Sequence, residues 1–113
     1  MLKIAHHSLY NHPLKENHRF PMIKYELIPE QLIMENTCVE NNFFKPKIIS
    51  EENILLTHDK IYFDKLQNQQ LDRKEIRAIG FPMSDKLIER EKTIVQGTVE
   101  CSLNSLKYGI SMN

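Results

Sequence analysis

Apolar residues fall in short clusters separated by polar stretches, and their spacing changes along the chain. Leu2 to Ala5 is an apolar run followed by polar residues and Pro13, which predicts a first strand opening into a loop. That loop extends from His6 to Phe20. From Pro21 the pattern turns helical: Pro21 suits a first helical turn, and Met22, Tyr25 and Ile28 recur at every third position. Pro29 cannot donate to residue 25 and crowds its carbonyl, so two short helices are expected to meet there, the second carrying Leu32 and Ile33. Asn36 tolerates the left-handed turn and ends the second. Pro46-Lys47-Ile48-Ile49 reads as a short extended stretch of edge-strand type.

The second half reads as helices with explicit start and stop signals. Ser50 caps one, with Glu51 and Glu52 at the positive end of the dipole and Ile54, Leu55 and Leu56 as its apolar payload. Another is expected from about Asp59 through Leu66, burying Ile61, Tyr62 and Leu66, with Gln67 to Gln70 as a loop. Asp72-Arg73-Lys74-Glu75 has the form of a capping box, and Gly80-Phe81-Pro82 stops the helix it starts. Ser84 caps the longest element, about Asp85 to Tyr108, in which Leu87, Ile94, Val95, Thr98, Val99, Leu103 and Leu106 repeat near the helical period. Ile94, Val95, Thr98 and Leu106 are its expected buried face. Gly97, Cys101, Ser102 and Ser105 are small and would admit another element closely. Gly109 is the stop signal, and Ile110 to Asn113 begins a strand. Strand, helices, strand, helices, strand argues for an α/β chain with a parallel sheet and helical crossovers, largely helical by residue count.

Composition narrows the classes. At 113 residues one domain is the natural count, and a body of that size buries only about two-thirds of its unfolded surface. Fifteen Lys and Arg balance fifteen Asp and Glu, so no electrostatic footprint for nucleic acid or an anionic membrane is present. Three scattered glycines, Gly80, Gly97 and Gly109, exclude a phosphate-binding glycine loop. Cys38 and Cys101 form no CxxC and no disulfide framework. No apolar run reaches membrane-spanning length, and the N-terminus lacks the apolar core of a signal peptide, so a cytoplasmic location is expected.

Candidate chemistry is sparse. Four of the five histidines, His6, His7, His12 and His18, share thirteen residues, but zinc sites use closer local spacing and no cysteine sits nearby. Such histidines more often cap turns or pack. His58-Asp59 suggests an imidazole oriented by a carboxylate, yet adjacent residues do not face one another, and Asp59 suits a helix start. Arg19, between His18 and Phe20 in a proline-flanked loop, suits an anion site or ion pair, although most arginines stay exposed. Glu89-Arg90-Glu91-Lys92 reads as the wet face of a helix. No complete catalytic set and no metal-ligand set is present.

Several strings taken in order carry a resemblance. His12-Pro13-Leu14-Lys15-Glu16-Asn17-His18-Arg19-Phe20-Pro21-Met22, with Lys24-Tyr25, resembles the first loop and helix of the histone deacetylase superfamily, especially its bacterial class IV-like branch. His58-Asp59, Tyr62 and Lys65-Leu66 are similar to a helix of that family. Arg77, Gly80-Phe81-Pro82, Ser84, Leu87, Arg90-Glu91, Gly97-Thr98 and Gly109-Ile110-Ser111-Met112-Asn113 resemble the stretch leading to its catalytic centre.

The resemblance implies a zinc-dependent hydrolase of acetyl-lysine or a similar small acetylamide, folded as a three-layer α/β/α domain on an eight-stranded parallel sheet. It implies a zinc ion held by two Asp and one His, a His pair after a Gly-Gly turn, and a Tyr or His at the oxyanion. Residues 1–113 would be the N-terminal part of that single domain, ending just before the Gly-Gly-x-His-His segment, with the remaining C-terminal part as its partner. The chain by itself would then hold no catalytic residue, bind no zinc and be inactive. Strands near 2–5, 46–49 and 110–113 would lie side by side, the first in the middle. Arg19 matches the family's arginine lining the product cavity, where its fork of donors suits acetate. A non-catalytic interaction module or remnant built on the same half-fold is the alternative.

Overall fold

In the computed structural model, which describes residues 1–113, Lys3–Ala5 forms strand β1, Phe43–Phe44 strand β2 and Ser111–Met112 strand β3. All pairing is parallel, in the order β2-β1-β3, with Ile4 opposite Phe43 on one side and Met112 on the other. The architecture is α/β, 53% helical, and the first strand is central as expected.

The second strand is not at 46–49. Pro46 has no N–H to give a ladder, whereas the paired aromatics Phe43 and Phe44 suit a pleated surface. Asn42 anchors their register by donating through Nδ2 to the Leu2 carbonyl at 2.9 Å. Residues 46–49 instead cross the long helix: Lys47 N–H donates to Glu100 Oε1 (3.1 Å) and Ile49 N–H to the Lys92 carbonyl (3.4 Å).

Pro29 does not divide the first helix either, since α1 runs unbroken over Lys24–Met34. Its missing N–H would have served the Tyr25 carbonyl. That carbonyl is served by His6 Nε2 at 3.0 Å. A carbonyl only accepts, so the His6 proton resides on Nε2. Asn36 beyond the helix is left-handed (φ 56°), as its residue type foretold.

Local start and stop signals hold throughout the second half. Ser50 Oγ accepts from Asn53 N–H to open α2 (Glu51–Ile54). Asp59 accepts from the Ile61 and Tyr62 amides to open α3 (Lys60–Gln67). Asp72 and Glu75 form a reciprocal capping box on α4 (Arg73–Ile79), which left-handed Gly80 (φ 81°) ends. Ser84 Oγ accepts from Leu87 N–H to open α5 (Asp85–Tyr108), and Gly109 closes it.

The buried faces differ from the expected ones. In α2, Leu56 lies outside the helix and is exposed; in α3, Ile61 is 71% exposed and Phe63 is buried in its place. In α5, Val95, Thr98 and Leu106 face solvent, Leu106 being 86% exposed, and Ile94 is half-buried. The helix lays Leu87, Arg90, Thr93, Gly97 and Cys101 inward. Where the helix passes closest to Tyr10 and the end of β3 the inward positions are the small Gly97 and Cys101, while Leu87 and Arg90 fill the wider space nearer its start.

The result is a slab, 45 × 36 × 17 Å, with a radius of gyration of 15.8 Å. A compact chain of this length has about 13 Å. Both outer strands pair only with β1, so both sheet edges are open. Ile110 and Met112 are exposed, while Leu2 and Ile4 are half-buried.

Candidate functional site

With β2 and β3 on opposite sides of β1, the chain reverses its direction of travel across the sheet. In open parallel sheets ligands bind beyond the carboxyl ends of the strands at such a switch point. Here that place is made by the loop leaving β1, from His6 to His12, and by the exit of β3 at Asn113.

Tyr10 is the centre of this region. It closes a short 3-10 turn, Ser8–Tyr10, in which His7 Nδ1 accepts from Leu9 N–H at 3.0 Å. Its phenol donates to Asn113 Oδ1 at 2.7 Å, and its ring stands edge-on to Tyr25 and His6. Burial, reinforced by the nearby Cys101 and Glu100, pushes the Tyr10 phenol up to about 12. At neutral pH it is therefore a donor.

Arg90 anchors the other end of Tyr10. Its Nε donates to the Tyr10 carbonyl at 2.8 Å, Nη1 pairs with Glu91, and Nη2 lies 3.6 Å from Met22 Sδ. The guanidinium sits 5.3 Å from the Tyr25 ring and 6.0 Å from that of Phe81. At 3% exposure it belongs to the interior, which corrects the reading of Glu89–Lys92 as a wholly wet face. The signal was available: Leu87, Arg90, Ile94, Gly97 and Cys101 alternate at three and four residues. Tyr10 and Asn113 had no comparable signal, because their meeting joins residues 103 apart.

The histidines are taken up by structural contacts, some of them between distant parts of the chain. His18 Nδ1 accepts from Phe20 N–H (3.2 Å), which leaves Nε2 to donate to the Gly80 carbonyl (3.2 Å). His58 stacks on Tyr62. His12 is buried, and desolvation followed by the Arg90 charge lowers its pKa below the ordinary 6.5. The unfolded chain therefore takes up that proton first as pH falls. Stability should be level above pH 6.5 and decline below it, down through the folded-state value. Urea midpoints at pH 7 and pH 5 check this: the midpoint should drop at pH 5, and the drop should shrink in His12→Gln.

Arg19 is exposed, next to the cluster of Phe20, Tyr25 and Phe81. It borders none of the four cavities of about 230–320 Å³. One of about 320 Å³ is bordered by His6, His7, Glu26, Glu30 and Phe43. Another of about 290 Å³, between α3 and α5, is bordered by Ile49, Phe63, Leu66, Ile88 and Val95. No three His, Cys, Asp or Glu side chains gather where they could hold a metal ion.

This geometry defines a parallel α/β chain with its candidate site at the sheet's switch point. No family model matches the chain. It is similar to an uncharacterized protein of Picosynechococcus sp., 28% identical over 110 residues, covering 97% of this chain and 37% of that protein. The chain thus spans little more than a third of the relative's length.

Proposed function

We propose that residues 1–113 are the N-terminal part of a zinc-dependent deacetylase of the histone deacetylase superfamily, acting on acetyl-lysine or a similar small acetylamide. The supporting observation is the meeting of the β1 loop with the exit of β3 at the switch point, held by Tyr10 and Asn113. The relative's greater length fits a larger whole. The zinc this reading requires does not fit the side chains present, and its ligands would come from outside these residues. What the chain itself would supply is the scaffold under the site and Arg19 beside the departing acetate, which a guanidinium can meet with paired donors. No helix is long and apolar enough to cross a membrane, and a cytoplasmic location accompanies the proposal.

The test is to express the chain alone and together with the coding sequence that follows codon 113. The chain alone should leave an acetyl-lysine peptide intact with or without zinc; the extended protein should hydrolyse it. In the extended protein Arg19→Ala should lower turnover roughly tenfold, the size of one lost charge-assisted contact, with zinc content unchanged. Deacetylation by the 113-residue chain, or none by the extended protein, overturns the reading. A non-catalytic docking module is the second reading, favoured by the two open sheet edges and the exposed apolar residues of α5.

A further inference from the structure

Three successive residues at the end of the sheet are each held by a side-chain hydrogen bond. Ser111 Oγ donates to the Lys3 carbonyl at 2.6 Å, and Cys101 Sγ donates to the Met112 carbonyl at 2.9 Å. Asn113 Oδ1 accepts from the Tyr10 phenol at 2.7 Å, while its Nδ2 donates to the Ile94 carbonyl and to Thr98 Oγ1, both at 2.8 Å. The amide orientation is determined by chemistry: the Ile94 carbonyl can only accept, so nitrogen faces it and oxygen faces the phenol. A two-residue strand with one open edge has little ladder of its own to direct the chain.

Gly97 makes this arrangement possible. A Cβ there would lie 2.6 Å from Tyr10 Oη and 2.7 Å from Asn113 Oδ1, closer than any carbon can approach. Glycine inside a 24-residue helix costs about 1 kcal/mol against alanine, so helix stability does not favour it there. Tyr10 is itself held from two sides: Arg90 fixes its main-chain carbonyl, and the Tyr25 and His6 rings flank its ring edge-on, so the phenol has little room to give.

We propose that Tyr10 is a positioning residue: its phenol, seated on Gly97, clamps Asn113 and sets the direction in which the chain leaves β3 at the switch point. The part of this that concerns catalysis rests on the deacetylase reading above, in which the catalytic segment follows β3. Tyr10 touches no reacting atom. It acts through Asn113 by fixing where the next residues begin, and a displacement of about 1 Å at a catalytic group costs on the order of a hundredfold in rate.

Two measurements test the clamp, and they fail separately. In the 113-residue chain, the Asn113 side-chain amide protons should exchange slowly with solvent by NMR. Tyr10→Phe and Gly97→Ala should each speed that exchange at least tenfold. In the extended protein, Tyr10→Phe should lower kcat ten- to a hundredfold with KM and zinc content unchanged. Asn113→Ala added to Tyr10→Phe should cost little more. Unchanged exchange in both variants overturns the clamp. Unchanged kcat in an active extended protein overturns its positioning role. An extended protein without deacetylase activity overturns the deacetylase reading alone, and the exchange rates then decide whether Tyr10 clamps Asn113.

Discussion

Arg90→Ala is expected to remove more than half of the folding stability of the chain at 25 °C. The substitution strips the Tyr10 carbonyl of its donor in a buried setting and removes the guanidinium that lies against Tyr25 and Phe81. An unsatisfied buried carbonyl costs about 1–3 kcal/mol, and the lost packing adds to it, for roughly 3 kcal/mol in all. Glu91 limits the damage, since its side chain is 46% exposed and can be solvated when its partner goes. Domains hold about 5–15 kcal/mol, and one with 15 buried residues of 113 belongs at the low end. Urea unfolding followed by circular dichroism measures the loss. Arg90→Lys should fall between the two, because an ammonium can reach the Tyr10 carbonyl but lacks the planar fork that lies against the rings. A midpoint for Arg90→Ala within experimental error of the parent would show that the guanidinium is not a structural anchor.

The isolated chain should bind a hydrophobic dye and self-associate as its concentration rises. Val95, Val99, Leu103 and Leu106 lie within roughly 80° of arc at 100° per residue, and all four are exposed. They continue a face whose first member, Ile88, is buried beside Ile49 and Phe63. The covered half of the α5 face ends near Val95, and the remainder has no partner within the chain. Contiguous exposed apolar surface of this kind promotes association. Combining Val99→Lys, Leu103→Glu and Leu106→Lys should cut dye fluorescence several-fold and shift the association equilibrium towards monomer. Folding stability should move by only about 0.5 kcal/mol per site, since these side chains contribute little burial to lose. A parent chain that is monomeric and dye-silent at high concentration would contradict the prediction.

What the sequence disclosed and what it withheld divide along the range of the interactions. Ser50, Asp59, Asp72 with Glu75, Ser84, Asn36, Gly80 and Gly109 all act within a turn of their own position, and each does what its residue type implies. The α/β class was legible for the same reason, because it follows from the order of elements. The errors arise where a distant partner decides. Pro29 would break an isolated helix, but His6 crosses from another element to serve the vacated carbonyl. The second strand is chosen by its pairing with β1, not by the apolar content of 46–49. On α5 the stripe of larger side chains looked like the core face, yet closeness to the sheet requires the smaller one. The spacing of Leu87, Arg90, Ile94, Gly97 and Cys101 put Arg90 on the inward face, but sequence shows only its charge and not the ring faces and carbonyl that receive it. The pairing of Tyr10 with Asn113 could not be foreseen at all without the register of β3.

The central position of β1 has a consequence for synthesis on the ribosome. The strand made first is the one that both others must join, and its second neighbour begins only at Ser111. At about 5–20 residues per second, β1 waits roughly 5–20 s with one edge unpaired while the intervening chain emerges. α5, whose inward residues pack beneath β1 and β3, is complete only at Tyr108, just before β3, so the sheet face it covers stays open for nearly the same interval. Until residue 111 is made, the nascent chain holds at most a half-sheet, open to any extended segment of another polypeptide. A factor that shields strand edges, or slow translation confined to codons before residue 111, would have its greatest effect on yield during that window.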